Sequence, residues 1–147
     1  MHIRSLLLAA WLLALPASPR AAEVFVAHLV PVHAPNSEGS GVATFTIVDD
    51  LSAIDYVVTY ENLTSPEFAA HVHHADGTIA FDLGVGNPKV GRWLAPPAQD
   101  IVELRNEDMY VNIHTELYPV GEIRGTLYRQ VVPVASSTWG AIKALYR

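Results

Sequence analysis

The sequence predicts an all-β fold, an antiparallel β-sandwich or flattened barrel of about seven or eight short strands. Apolar and polar residues alternate with a period of two along several segments, as they do in strands that are buried on one face. Clusters of Gly, Pro, Asn and Asp separate these segments, as turns separate strands. About 125 residues remain after an N-terminal apolar segment, and this length suits one domain with one core.

The N-terminus has the layout of a secretory signal peptide, which we place at residues 1–22. Arg4 supplies a positive charge, residues 6–15 form an unbroken apolar run, and small residues follow this run. The run is well short of the roughly 20 residues that cross a bilayer, so no membrane span is expected in the mature form. We expect a secreted or periplasmic protein, cleaved after Ala22 or Ala17. Ala22 is favoured because the β pattern starts directly after it.

Charge limits the partners that the mature chain can bind. The chain has 9 basic and 15 acidic side chains, and removal of residues 1–22 takes away Arg4 and Arg20 but no acid. The remaining 7 basic and 15 acidic side chains give a formal charge of −8. Nucleic acids and anionic membranes bind basic surfaces, so neither is an expected partner. The sequence has no cysteine, which excludes disulfides.

The alternation is clearest in residues 41–48, where Ala43, Phe45 and Ile47 alternate with threonines. An acidic turn at residues 49–52 leads to a second segment with the same period, which predicts a β-hairpin. The predicted strands cover residues 23–29, 41–48, 54–61, 68–74, 78–83, 109–115 and 122–128.

Two segments interrupt this pattern inside a predicted domain of residues 23–132. Residues 84–97 are rich in Gly and Pro and are interpreted as a loop, and residues 100–108 as one helical turn.

Residues 133–147 are expected to form a C-terminal tail with a short helix. Good N-cap residues at 136–138 precede Trp139, Ile142 and Tyr146, which follow at helical spacing. One interpretation is a helix that packs its Trp onto the sandwich, and it is favoured because amphipathic stripes usually serve packing. The other is a tail that a partner protein or a sorting machine recognises.

Three histidines occupy outward positions on two predicted strands. His71 and His73 are two residues apart and project from one face, while Val72 points towards the core. On the strand 109–115, the apolar neighbours of His114 are core candidates, which turns His114 outward too. Three imidazoles with an open fourth position suit copper or catalytic zinc. The pattern therefore predicts a metal site at His71, His73 and His114, with copper preferred to zinc.

The alternative is that these three are ordinary surface histidines that bind no metal, as we expect of His28 and His33. Four other side chains lie near the predicted ligands and could support them: His74, Asn112, Glu122 and Arg124. His74 is either a spare ligand or a loop residue, and the loop is favoured. Glu122 and Arg124 are two apart and so share a face. A cross-strand ion pair that fixes register is favoured over an arginine that orients an anion or a substrate.

Several stretches are similar to the CHRD domain family. Residues 110–115, then Pro119 and residues 121–125, resemble its closing signature. Residues 41–45 match its Gly-x-Ala-x-Phe strand, residues 56–63 its Tyr-x-Val-x-x-x-x-Leu stretch, and Ala70-His71-Val72-His73 its Ala-His-Ile-His. The loop after His73 is shorter than the family's glycine-rich loop and carries an extra histidine, His74.

The CHRD resemblance covers nearly the whole mature chain. It implies a β-sandwich, and Greek-key sandwiches of the superoxide-dismutase-like or immunoglobulin-like kind fit the strand pattern. It also implies an exported bacterial protein of the single-domain type, with no established enzymatic activity.

The three histidines are also similar in type, order and strand placement to the copper ligands of copper–zinc superoxide dismutases. The bridging histidine, the zinc loop and the disulfide cysteine of those enzymes are missing. The resemblance therefore implies a copper-only or vestigial site.

Three functions follow from these observations. The first is a non-enzymatic extracytoplasmic binding module, with an exposed patch around Trp93, Trp139 and the loop 84–97. The second is a protein that binds copper or zinc through the three histidines. The third is a copper-dependent enzyme like superoxide dismutase. Motifs of hydrolases and nucleotide-binding proteins are absent from the sequence.

Overall fold

A computed structural model describes residues 22–130, which form nine antiparallel strands and one short helix. The prediction of an all-β antiparallel fold is confirmed. The elements are β1 (Glu23–Pro31), β2 (Ser40–Ile47), β3 (Ala53–Glu61), β4 (Glu67–His74), β5 (Ile79–Asp82), β6 (Lys89–Leu94), α1 (Ala98–Arg105), β7 (Met109–Thr115), β8 (Ile123–Thr126) and β9 (Tyr128–Arg129).

The strands form one continuous path that nearly closes on itself. Their order is β5-β4-β7-β8-β1-β2-β3-β6, and β9 pairs with β1. β1 joins two layers, because most of it pairs with β2 while its last residues, Val30 and Pro31, pair with β8. The two ends of the path meet through side chains: Phe81 of β5 stacks on Trp93 of β6 with ring centroids 4.8 Å apart. The result is a flattened barrel.

The core lies between the two layers and follows directly from the alternation. Phe25 in β1 pairs with Phe45 in β2, and Ala27 pairs with Ala43, so buried residues face buried residues across the ladder. Such cross-strand pairs fix the register, since a slip of one residue would turn every apolar side chain to solvent.

The prediction that residues 84–97 form a loop is wrong, because β6 lies within this range and pairs with β3. The predicted exposed patch at Trp93 is also wrong, since this side chain is 4% exposed and lies in the core. β6 has an unusual alternation in which Lys89 and Trp93 face inward, whereas Val90 and Leu94 face outward.

The helix is longer than the single turn predicted at residues 100–108. α1 has eight residues and packs Ile101 and Leu104 into the core. No helix of residues 22–130 is long and apolar enough to cross a membrane. The predicted tail, residues 133–147, lies wholly outside the described residues, as does the predicted signal peptide except for Ala22.

Candidate metal centre

Neighbouring strands β4 and β7 place three histidines on one face of the sheet. Ala70 and Val72 of β4 and Ile113 of β7 are buried in the core. The alternate residues point the other way, and the register pairs Ala69 with His114 and His71 with Asn112. The sequence pattern therefore brings the predicted ligands together as expected from strand geometry.

The three imidazoles converge closely enough to share one ion. One ring nitrogen from each of His71, His73 and His114 can be chosen so that all three lie within 4.8 Å of one another. The Nδ1 atom of His71 lies 3.2 Å from the Nε2 atom of His114. The ring centroids are 5.1 to 5.8 Å apart.

Backbone carbonyls fix the orientation of two of these rings. The Nδ1 atom of His73 lies 3.0 Å from the carbonyl oxygen of Gly77, and that of His114 lies 3.0 Å from the carbonyl oxygen of Pro119. A carbonyl only accepts, so each Nδ1 carries the proton and donates it. The Nε2 atoms of His73 and His114 consequently present lone pairs, which is how protein ligands to metals are commonly oriented.

The Nε2 atom of His73 is buried and has no hydrogen-bond partner. Buried polar atoms without a partner are rare and costly in native proteins, and a missing ion is one explanation for such an atom. Its position inside the three-histidine cluster makes a cation the partner that fits best.

Burial also favours the neutral form of two of the candidate ligands, His73 and His114. Desolvation lowers the pKa of His73, and the charges of His71 and Arg124 lower it further. Desolvation lowers the pKa of His114 as well, with smaller effects from His71 and His73. Burial thus favours the neutral forms of His73 and His114, which are the forms that bind a metal.

Aromatic side chains pack against the cluster. The ring of Tyr110 stacks on that of His73, with centroids 5.0 Å apart and planes 9° apart. The ring of Phe68 lies 6.1 Å from that of His114. His71 is only half-buried, so the cluster is reached from solvent on its side. Alternation on β7 places Tyr110 on this face, but alternation on β4 would place Phe68 with Ala70 and Val72. The register shift between Glu67 and Ala69 breaks that pattern, so the contact of Phe68 could not be predicted from the sequence.

His74 does not join the cluster. It is the last residue of β4, and its Nδ1 atom lies 2.5 Å from Oε2 of Glu103 in α1. Its Nε2 atom is 3.9 Å from the Asp100 carboxylate. His74 thus connects the strand to the helix, and its place in the strand corrects the favoured assignment to a loop.

Asn112 supports the turn beside the ligands, because its side-chain amide donates to the carbonyl oxygen of Val120. The prediction of a cross-strand ion pair at Glu122 and Arg124 is wrong, and so is the prediction that the two side chains share a face. Glu122 turns inward, while the Arg124 guanidinium lies 4.8 Å from the ring centroid of Tyr110. The side chains of Glu122 and Arg124 point to different sides of the sheet. Glu122 lies just before β8, where the regular alternation has not begun.

Glu122 is fully buried and joins three segments of the chain. Its carboxylate accepts hydrogen bonds from Ser37 Oγ at 2.6 Å, Thr64 N at 2.8 Å and Thr115 Oγ1 at 2.7 Å. Thr115 follows His114 directly, so this carboxylate holds the end of β7 that carries a predicted ligand. The sequence carried no signal of these contacts, because Ser37 is 85 residues away from Glu122.

We expect a Glu122→Gln variant to be less stable than the wild type by about 1.5–3 kcal/mol at neutral pH, the usual contribution of hydrogen bonds to a charged group. Burial alone would raise the pKa of Glu122, but the hydrogen bonds from Ser37, Thr115 and Thr64 outweigh it and hold the pKa below its usual value. The stabilisation is therefore complete above about pH 4.5 and is lost as the pH falls through the lower, folded-state pKa.

Urea denaturation of the metal-free protein at several pH values would measure this effect. The difference between wild type and Glu122→Gln should shrink steadily below about pH 4.5. Glu116→Gln, at an exposed position, controls for the loss of one surface charge. A difference that stayed constant or grew in acid would contradict the role assigned to the carboxylate.

The sequence model of the CHRD domain family matches residues 22–127, which is nearly all of the part that the structure describes. No curated protein matches the chain.

Proposed function

Because the chain belongs to the CHRD domain family, we propose that it is an exported, non-enzymatic binding module whose three-histidine cluster holds a copper ion. Residues 1–22 would direct its export and be removed, leaving a domain of residues 23–132 and a tail of residues 133–147. The partner of this module is then the metal ion, a second extracytoplasmic protein, or both.

One observation carries the proposal: the buried Nε2 atom of His73 lacks a partner in the middle of a cluster whose other donors converge on it. If the histidines were idle surface residues, this atom would be expected to face water. The hydrogen bonds from His73 and His114 to carbonyl oxygens support the same conclusion, since they leave the Nε2 atom of each ring unprotonated.

The donor set favours copper over zinc. Imidazole nitrogen suits both metals, but the affinity of a given site for divalent ions is highest for Cu²⁺. Structural zinc sites usually have four protein ligands, whereas three histidines leave a position open. Zinc therefore remains the second choice for this centre.

Binding of the ion would also change the tautomer of His71. The Nε2 atom of His114 presents a lone pair, so the 3.2 Å contact places a proton on Nδ1 of His71 when the cluster is empty. If the cation used Nδ1 of His71, the neutral ring would carry its proton on Nε2 instead, with no net release.

A copper-dependent enzyme like superoxide dismutase is the second candidate. The half-buried position of His71 favours it, because an open side would let a small molecule reach the ion. Redox turnover by the copper-loaded protein would decide between this candidate and a binding module.

The metal content of untagged protein, exported to a periplasm and measured by elemental mass spectrometry, tests the proposal. We expect about one copper ion per chain, and a fall in copper affinity of at least about 100-fold in His71→Ala. His71 is the ligand whose replacement disturbs the fold least, because it is only half-buried. His114→Ala should lose affinity by a similar factor.

His28→Ala is the matched control, since His28 is an exposed histidine on β1. It should bind copper as the wild type does. Titration with a competing chelator gives the affinities, and circular dichroism shows that each variant folds. Equal trace copper in the wild type and His71→Ala, even after copper and zinc are supplied, would overturn the proposed site.

A further inference from the structure

A row of uncharged side chains crosses the outer surface of the layer that contains β9, β1, β2, β3 and β6. Directly paired residues of antiparallel strands project from the same face. No member of the row is buried, so the row points away from the core. In their order across the strands, the members are Tyr128, Val26, Thr44, Val57 and Val90. These five residues define the outer face.

The valines of the outer face are open to solvent. Val90 is 71% exposed and Val57 45%, and Val42 adds a third exposed valine in the next row, beside Thr59. A groove of about 360 Å³ lies over β2, β3 and β6, and its lining includes Thr44, Val57 and Val90. Single apolar residues are common on protein surfaces, whereas a contiguous apolar patch with a groove marks an interaction site.

β6 leaves this layer with an open edge. It is the last strand of the path, and within residues 22–130 it pairs only with β3. Leu94 of β6 points outward and is 70% exposed, much as Val90 is. Exposed apolar edge strands promote aggregation unless another segment covers them. The outer face therefore needs a cover on its β6 side.

The chain leaves the described domain beside the outer face. Gln130 is the last described residue, and its N–H donates to the carbonyl oxygen of Val24 in β1, at 2.7 Å. From β1 to β6 the layer measures about 14 Å, which is three strand spacings. A helix of residues 139–147 is about 14 Å long, and residues 131–138 can extend over up to about 26 Å. Together they are long enough to cross the whole face.

Charge attracts the segment 131–147 to the domain. The segment has two basic side chains, Lys143 and Arg147, and no acidic one. Residues 22–130 have 15 acidic and 5 basic side chains. Opposite net charges draw the segment and the domain together over distances of about 10 Å.

The apolar side chains of the segment match the outer face. Trp139, Ile142 and Tyr146 lie on one side of a helix, because residues three and four apart are neighbours there. Nine residues are too few for a stable helix in water, so the helix requires a surface on which to bury this side. Trp139 contributes most, since aromatic side chains bury about 150–250 Å² each.

We propose that residues 131–147 cover the outer face of their own chain, with Trp139 in the groove over β2, β3 and β6. The helix crosses the strands, and its apolar side shields Val57, Val90 and the edge of β6. The histidine cluster lies on the other layer, so this contact is independent of the copper site proposed above.

The reactivity of a single thiol tests the contact, because the full chain has no cysteine of its own. One variant carries Val57→Cys on the outer face. Its reaction with dithiobis(nitrobenzoic acid) is followed in the presence of a chelator, with and without Trp139→Ala and Ile142→Ala in the same chain. We expect the thiol at position 57 to react at least about 10-fold faster once these two apolar side chains are removed, which corresponds to a docking free energy of about 1.4 kcal/mol.

Val102→Cys is the matched control, since Val102 on α1 is 47% exposed, close to the value for Val57. Its thiol should react at the same rate with either form of the segment, and circular dichroism shows that each variant folds. The rate at position 57 should also be independent of protein concentration. Protection that grows with concentration would assign the face to a second copy and overturn the proposal. Equal rates at position 57 with and without Trp139 and Ile142 would overturn it as well.

Discussion

Replacement of Lys89 by Met is expected to lower the free energy of unfolding by about 3–5 kcal/mol, the range for removal of one partner from a buried ion pair. Lys89 is 4% exposed, and its Nζ atom lies 2.5 Å from Oε1 of Glu67. Nζ also donates to the carbonyl oxygens of Gly84 and Gly86, at 2.7 and 2.9 Å. The variant would leave a buried carboxylate without its cation and two carbonyls without their donor.

Arg92→Met on the same strand is the control for the Lys89→Met prediction. Arg92 also pairs with an acid, Asp55, but both side chains are about half exposed. Solvent and salt screen exposed pairs, so the loss should be small. Urea denaturation followed by circular dichroism measures both. Equal losses in the two variants would show that burial does not govern the contribution of the Lys89–Glu67 pair.

Gly121→Ala is expected to cost about 2–5 kcal/mol of stability. Gly121 has a φ of +120°, and an added Cβ would lie 2.1 Å from Oδ1 of Asn112. The cost combines strain in the left-handed region, about 1–2 kcal/mol, with overpacking, about 1–3 kcal/mol. Asn112 and the nearby Pro119 carbonyl support the His114 side of the cluster, so copper affinity should fall as well.

Gly84→Ala is the control for Gly121→Ala, because it introduces backbone strain without overpacking. Gly84 also has a positive φ, +68°, but an added Cβ would meet no atom within 4 Å. We expect a loss of about 1–2 kcal/mol and unchanged copper affinity. Thermal and urea denaturation of both variants, with copper titration, tests this. Gly121→Ala as stable as Gly84→Ala would mean that Asn112 can move at little cost.

Most of the fold was predictable because it depends on alternation, which is local in the sequence. The strands that contain Phe25 and Phe45 could be predicted, since every second residue along each of them is apolar and buried. β6 escaped prediction because its alternation is inverted: Lys89 lies inside with Glu67, and Val90 and Leu94 face solvent. An ion-paired lysine in a core cannot be recognised until its partner strand is known.

The candidate ligands were predictable for the same reason, as two strands with histidines in outward positions. The groups that surround these ligands could not be predicted from the sequence. The Gly77 and Pro119 carbonyls are backbone groups without a side-chain signature, and the contact between Ser37 and Glu122 joins distant segments. The association of Arg124 with Tyr110 instead of Glu122 depends on where β8 begins, and sequence patterns locate the ends of strands poorly.

The carbonyls that orient His73 and His114 come from the turns that follow their own strands, four and five residues further along the chain. The direction of each lone pair is therefore set by a short loop, whereas the position of each ring is set by the sheet. These two properties are separable. A change in the length or composition of either turn would alter the orientation of one imidazole nitrogen and leave the hydrophobic core intact. A barrel of this kind can thus acquire, retune or lose an affinity for ions through its turns alone.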